Sequence, residues 1–351
     1  MSSYERVLCA VGHEKPDHPP LEWMSTDEVD RSLRRAIGAA DDEELLSSLG
    51  VDFRRFDARV DKSQPVPPQI QERFGSEGVL EASCYGVVLL RSPEFPQGHR
   101  VHGPFYDTAD PDAFDWPEPG DIVTDPDLQS RIDRFNRAGL CTIARCDNPF
   151  KIAYFMRPFD EFMMECVLEP DLPLELMRRI LRIEAARAEA VVRAGARAAM
   201  IFGDFAHQTN LMISPDAFRK VLKPVLAEYT ARLRGINPDV LLFLHSDGNL
   251  TDVLDDLIDC GFQAVHPIQP ESMDMEAVKR RFGDRLTLFG GISVQSELPY
   301  MAEQEIRSLV RSRVQILGAG GGFMFAPSNT LLPDIPNESI LAAYREAARN
   351  V

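Results

Sequence analysis

Val240-Leu241-Leu242-Phe243-Leu244-His245-Ser246-Asp247-Gly248-Asn249 couples an unbroken apolar run to a polar turn. Such a run suits a strand buried on both faces, as in a parallel sheet covered by helices, and glycine with asparagine ends it. Side chains two apart on a strand point the same way, so His245 and Asp247 can converge on one ion or one substrate. Imidazole and carboxylate are ordinary ligands for a zinc-like ion. The same pair also reads as a histidine bonded to backbone and an aspartate capping the next helix.

Working outward, the pattern repeats. Ala198-Ala199-Met200-Ile201-Phe202 leads to Gly203-Asp204, and Phe262-Gln263-Ala264-Val265 leads to His266-Pro267. Arg285-Leu286-Thr287-Leu288-Phe289 stops at Gly290-Gly291, and Gly322-Phe323-Met324-Phe325-Ala326 runs into Pro327-Ser328-Asn329. Between them lie helical stripes: Leu176, Ile180 and Ile183; Leu250, Val253, Leu254, Leu257 and Ile258; Ile306, Val310, Val314 and Leu317. Ser214-Pro215 supplies a capping hydroxyl followed by proline at the first helical position. Strands alternating with helices indicate βα units around a parallel sheet. Pro20–Met24, Val51–Phe56 and the run ending at Cys146 supply three further strands. The prediction is an α/β protein, a (β/α)8 TIM barrel spanning residues 1–351 as one domain. Residues 61–138 form a proline-rich insertion in its N-terminal half, with strands of its own such as Gly86–Leu90.

The chain has 38 Lys+Arg against 55 Asp+Glu, a net charge of −17. With no basic stripe, nucleic acid and anionic membrane surfaces are excluded as expected partners. No stretch approaches the roughly 20 apolar residues that span a bilayer, and the start leads into no long apolar core, so a cytoplasmic protein is expected. Nothing indicates an oligomeric state. The six cysteines show no CxxC spacing, so reduced thiols are expected. Cys146 ends a strand-like run and could face a site, or could serve as a small buried hydrophobe.

In a barrel the C-terminal ends of all strands gather at one mouth. Strand ends then bring together Asp204, His207, Gln208, His245, Asp247, His266, Gln269 and Asn329. A catalytic metal site needs about three protein ligands: His245, Asp247 and one of His266, His207 or Asp204. A His/Asp set without thiolate is a Lewis acid for oxygen rather than a thiol activator. His207 also reads as a solvated residue opening a helix, and His266 as a hydrogen-bonded residue braced by Pro267. Asp204, after an apolar strand and a glycine, is a candidate general acid or base, or a helix cap. Gln208, Gln269 and Asn329 are candidate substrate contacts. Arg54, Arg55 and Arg157 are candidate anchors for a substrate carboxylate, with surface ion pairing as the alternative. Gly318–Gly322 precedes a strand, whereas a phosphate-binding loop follows one and opens a helix, so it reads as a tight turn.

Tyr4–Leu8 with Glu14–Asp17, Leu49–Arg55, Gly203-Asp204 with Ile213-Ser214-Pro215, and His245–Asn249 resemble the uroporphyrinogen decarboxylase-like superfamily. Pro267–Pro270, Phe289–Ile292 and Gly320–Gly322 through Ala326-Pro327 extend the resemblance over nearly the whole chain. It implies a (β/α)8 barrel of one of two kinds: a metal-free decarboxylase of a tetrapyrrole with many carboxylates, or a zinc-dependent, cobalamin-linked methyltransferase. The decarboxylases carry an arginine-rich segment after the first strand; Glu22–Asp27 has no arginine, and an unpaired Glu22 at the substrate site would repel a polyanion. The methyltransferase zinc motif resembles His-x-Cys with a later Cys; here Asp247 and Asn329 stand at those places. The resemblance thus implies a metal-assisted methyltransferase acting on a small methoxylated or methylamino compound and passing methyl to a corrinoid protein or cobalamin. Zinc would lie on His245 and Asp247, with Asp204 handling the proton. The alternatives are a metal-free decarboxylase or lyase using Asp204 and His245, and a non-catalytic cobalamin- or tetrapyrrole-binding protein.

Overall fold

The computed structural model describes residues 1–93, 98–106 and 110–349, so parts of the expected insertion, 94–97 and 107–109, lie outside the described residues. Seven parallel strands make one curled sheet: β1 (Phe53–Phe56), β2 (Cys141–Asp147), β3 (Ala198–Phe202), β4 (Leu241–His245), β5 (Ala264–Ile268), β6 (Thr287–Ile292) and β7 (Phe323–Pro327). Each bonds to the next in chain order. The segment around Leu21 closes the ring. Glu22 N–H donates to Phe325 O at 3.0 Å, Phe325 N–H to Pro20 O at 2.8 Å, and Asp52 N–H to Leu21 O at 2.9 Å. Pro20–Met24 is therefore the eighth stave, held by isolated bridges rather than a continuous ladder because Pro19 and Pro20 bring no N–H.

Strand parity divides the core in two. Phe53, Ile143, Met200, Phe243, Phe289 and Met324 pack inside the barrel, whereas Ala144, Cys146, Ile201, Leu242, Leu244 and Val265 pack against the helices. Inside, Phe53 meets Phe289 with ring centroids 5.8 Å apart, and each such buried ring contributes on the order of 2–3 kcal/mol. The helix Ser3–Val11 packs Val7 and Ala10 against this interior cluster, and the polar residues collect at the strands' C-terminal ends. Ser214 caps the predicted helix start, its Oγ accepting from Ala217 N–H at 3.2 Å. Helix α1 (Pro149–Met156) follows β2, and α2 (Asp171–Arg193) buries Leu176, Ile180 and Ile183.

Between β1 and β2 lie the helices Pro68–Phe74 and Leu128–Arg137 and a three-stranded antiparallel sheet of Val79–Ala82, Val88–Arg91 and His99–His102. The strand expected over Gly86–Leu90 runs instead over Val88–Arg91, because Gly86 sits in the preceding turn at φ +69°. No helix among the described residues is long and apolar enough to cross a membrane.

Candidate metal and substrate site

Register places Asp147, Phe202, His245 and His266 abreast on β2, β3, β4 and β5 at the barrel mouth. The His245 ring lies between its neighbours, 4.7 Å from Phe202 and 4.9 Å from His266, centroid to centroid. His245 Nδ1 and His266 Nδ1 are 2.7 Å apart, and His266 Nε2 is 3.0 Å from Pro327 O. A carbonyl oxygen only accepts, so His266 carries its proton on Nε2 and presents a bare Nδ1. His245 must then donate from its own Nδ1. Its Nε2 lone pair is left at the mouth, 3.8 Å from Asp247 Oδ1 and 4.0 Å from Asp204 Oδ1. Burial, then the charges of Lys151, Arg55 and Arg145, lower the His245 pKa to about 3; burial also holds His266 well below the usual imidazole range.

Two glycines let the turns meet. Gly248 takes φ +95°, and a Cβ there would stand 2.4 Å from His207 O. The turn after β4 can therefore lie on the loop after β3, where Asn249 N–H bonds to His207 O at 2.8 Å. Gly203 has φ +153°, and its Cβ would meet Asn148 Cβ at 2.6 Å. Asp204 is thereby delivered beside Lys151, whose Nζ bonds to its Oδ2 at 3.0 Å, while its Oδ1 accepts Asp247 N–H at 3.1 Å.

Ligand atoms of Asp204, His245 and Asp247 all lie within 4.8 Å of one another. Asn329 Nδ2 donates to Asp247 Oδ2, but Asp247 Oδ1 is buried and has no partner. Burial, then the Asp204 charge, raises the Asp247 pKa to about 7. Two mutually repelling carboxylates and an imidazole lone pair around an orphaned oxygen form a donor set that a divalent cation would satisfy.

The structure redistributes the other predicted residues. His266 is not placed as a ligand: both its nitrogens are engaged, and it braces His245 instead. His207 and Gln208 are exposed, with His207 joining the site's scaffold through its backbone. Gln269 is buried and its Oε1 accepts Gly248 N–H at 3.4 Å, which braces the turn after β4. Arg54 has outward parity on β1 and bonds to Glu43 and to the Val51 and Phe53 carbonyls. Arg157 is bound to Glu165, Glu161 and Phe105 O. Both guanidinium groups are thus engaged by neighbouring carboxylates and carbonyls. Arg55, of inward parity, pairs with the buried Glu22. Glu22, expected as an unpaired substrate contact, is thus an ion-pair partner. Cys146 points outward, its Sγ 3.5 Å from Met200 O, and burial raises its thiol pKa to about 12. Arg145 and Lys151 join the site without being among the residues expected from strand ends. Arg145 was legible, being two residues from inward-facing Ile143; Lys151, on α1, carried no comparable signal.

Because Asp247 titrates near neutrality, an ion must displace its proton, whereas His245 competes only near pH 3. Divalent-ion affinity is expected to fall about tenfold per pH unit below pH 7. Calorimetric titration at pH 6 in two buffers of different ionisation enthalpy should show about one proton released per ion; affinity that stays flat from pH 5 to 8 would contradict this assignment.

A sequence model of the uroporphyrinogen decarboxylase (URO-D) family matches residues 127–350. The chain belongs to that family. Within URO-D-related proteins, the methylcobamide:CoM methyltransferase MtaA of Methanosarcina barkeri is 27% identical over 200 residues, 57% of this chain and 56% of that protein. The uroporphyrinogen decarboxylase of Mannheimia succiniciproducens is 26% identical over 204 residues, 55% of this chain and 54% of that one. These matches span little more than half the length of each relative. A solved methyltransferase from Methanosarcina mazei superposes with a TM-score of 0.67 at 18% identity over 99% of this chain and 98% of its own, which shows the shared barrel fold. The chain's relatives thus include both a methyltransferase and a decarboxylase.

Proposed function

We propose that this barrel is a metal-dependent methyltransferase that takes a methyl group from a small methoxylated or methylamino compound and passes it to a corrinoid, free or on a partner protein. The observation that carries the reading is the convergence of His245 Nε2, Asp204 and Asp247 around a buried oxygen with no partner. A bound zinc-like ion, held by His245 and Asp247 with Asp204 adjacent, would supply Lewis acidity toward the heteroatom that carries the methyl group.

The protein's own groups do the rest. His266 sets the tautomer that keeps Nε2 bare, and Asn329 orients Asp247. Lys151 holds Asp204 in place as the proton-handling group for the alcohol or amine that is released. Phe202 gives an apolar wall beside His245. With only nitrogen and oxygen donors, the set suits an oxygen or nitrogen centre better than a thiol.

Zinc-loaded protein is expected to hold one ion per chain by elemental mass spectrometry. It should also convert cob(I)alamin to methylcobalamin, read by visible absorbance, with at least one compound from a methoxylated and methylamino panel. Chelation should abolish the transfer and zinc restore it. Protein that binds cobalamin but never a stoichiometric ion would instead be a binding protein, and carbon dioxide release without any ion would make it a decarboxylase.

A further inference from the structure

Two guanidinium groups flank the ring next to His245. Arg55 Cζ lies 5.4 Å and Arg145 Cζ 5.0 Å from the Phe202 centroid, and that ring lies 4.7 Å from the His245 ring. Neither arginine is saturated. Arg55 binds Glu22 through one terminal nitrogen, and its Nε is buried with no partner. Arg145 is about half exposed, and its ion pair is with Asp147 at 4.0 Å, beyond hydrogen-bond range.

The charges at the mouth point the same way. Arg55, Arg145, Arg187 and Lys151 stand against Glu22, Asp147, Glu184, Asp204 and Asp247, four positive against five negative; a dication makes the total one positive unit. One carboxylate on the substrate would neutralise it. A planar carboxylate also matches the fork of a guanidinium, and an apolar body next to it would rest on Phe202.

We infer that the substrate is a carboxylic acid, held through its carboxylate by Arg55 and Arg145 over Phe202, with its methoxy or methylamino end toward His245. This rests on the methyltransferase reading for the identity of the reacting end. The anchor itself is independent of turnover. Of the three arginines expected as anchors it keeps Arg55, adds Arg145, and leaves out Arg54 and Arg157, which are held by Glu43 and Glu165.

The test is calorimetric binding of 4-methoxybenzoate against 4-methoxybenzamide, and of N,N-dimethylglycine against its amide, to zinc-loaded and to chelator-treated protein. At least one acid is expected to bind about tenfold or more tighter than its own amide, the scale of a charge-assisted hydrogen bond. Arg145→Gln should abolish that preference while leaving amide affinity within about twofold. The double variant Glu22→Gln/Arg55→Gln, which strands no buried charge, should abolish it too. If neither acid outbinds its amide in the wild-type protein, or if Arg145→Gln keeps the preference, the anchor is wrong. Because binding is read without turnover, a failure of methyl transfer leaves this result standing, and transfer that persists without an acid preference removes the anchor alone.

Discussion

His245→Ala is expected to lower divalent-ion affinity about a hundred- to a thousandfold and to remove methyl transfer at micromolar zinc, with the fold intact. The magnitude follows from structural zinc sites, which bind with roughly 10–16 kcal/mol shared among about four ligands. One ligand is then worth on the order of 3 kcal/mol, or two decades and more in affinity. His245 supplies the imidazole lone pair of the Asp204, His245 and Asp247 cluster, so no neighbour replaces it. His266→Phe separates ligand from brace. It preserves an aromatic ring against Phe289 but deprives His245 Nδ1 of its acceptor, and a smaller loss of about 10–100-fold is expected. Competition with a chromogenic chelator measures both. Equal losses in the two variants, or none in His245→Ala, would sink the assignment of ligand and brace.

Glu184→Ala is expected to cost about 3–5 kcal/mol of folding stability, the usual cost of breaking a buried ion pair. Glu184, on α2, is fully buried. It accepts from Tyr85 Oη at 2.7 Å, Arg187 at 2.7 Å and Asp147 N–H at 3.3 Å. One carboxylate thereby joins the segment after β1, the helix α2 and the mouth end of β2. Removing it leaves the largely buried Arg187 with only Asp147 Oδ2 at 3.4 Å and the Ala58 carbonyl at 2.7 Å, and the Tyr85 hydroxyl without its acceptor. Glu184→Gln keeps the volume and an acceptor oxygen, so a smaller loss is expected. Urea unfolding with an unchanged slope measures the difference; a loss under about 1 kcal/mol for Glu184→Ala would show that the site relaxes or hydrates freely.

Much of the barrel was legible because apolar periodicity is a local property of the chain. The runs at Ala198–Phe202, Leu241–Leu244 and Phe323–Ala326 are strands as read, and the Ser214-Pro215 start is capped as read. Pro20–Met24 has the composition of an ordinary strand but is a stave held by isolated bridges. The strand near Gly86 shifted because the positive φ of that glycine belongs to a turn.

Strand parity carries further information about the site. Applied along β1 and β2, it puts Arg55 and Arg145 inside the barrel and Arg54 and Cys146 outside, as observed. No local rule could separate the roles of His245 and His266, since both end apolar strands. What distinguishes them is a carbonyl contributed by Pro327, 61 residues away from His266.

The sequence alone located the barrel's apolar runs, their common direction and therefore which segments meet at the mouth, since these follow from short-range apolar pattern and the connectivity rules of parallel sheets; two strand ends lie farther on, β5 running through His266-Pro267 and β6 through Gly290-Gly291. Only the tertiary structure decided which histidine offers a lone pair, which carboxylate oxygen lacks a partner and which arginines face the site. Those properties depend on hydrogen-bond partners and burial contributed by other strands, and separation along the chain carries no trace of them.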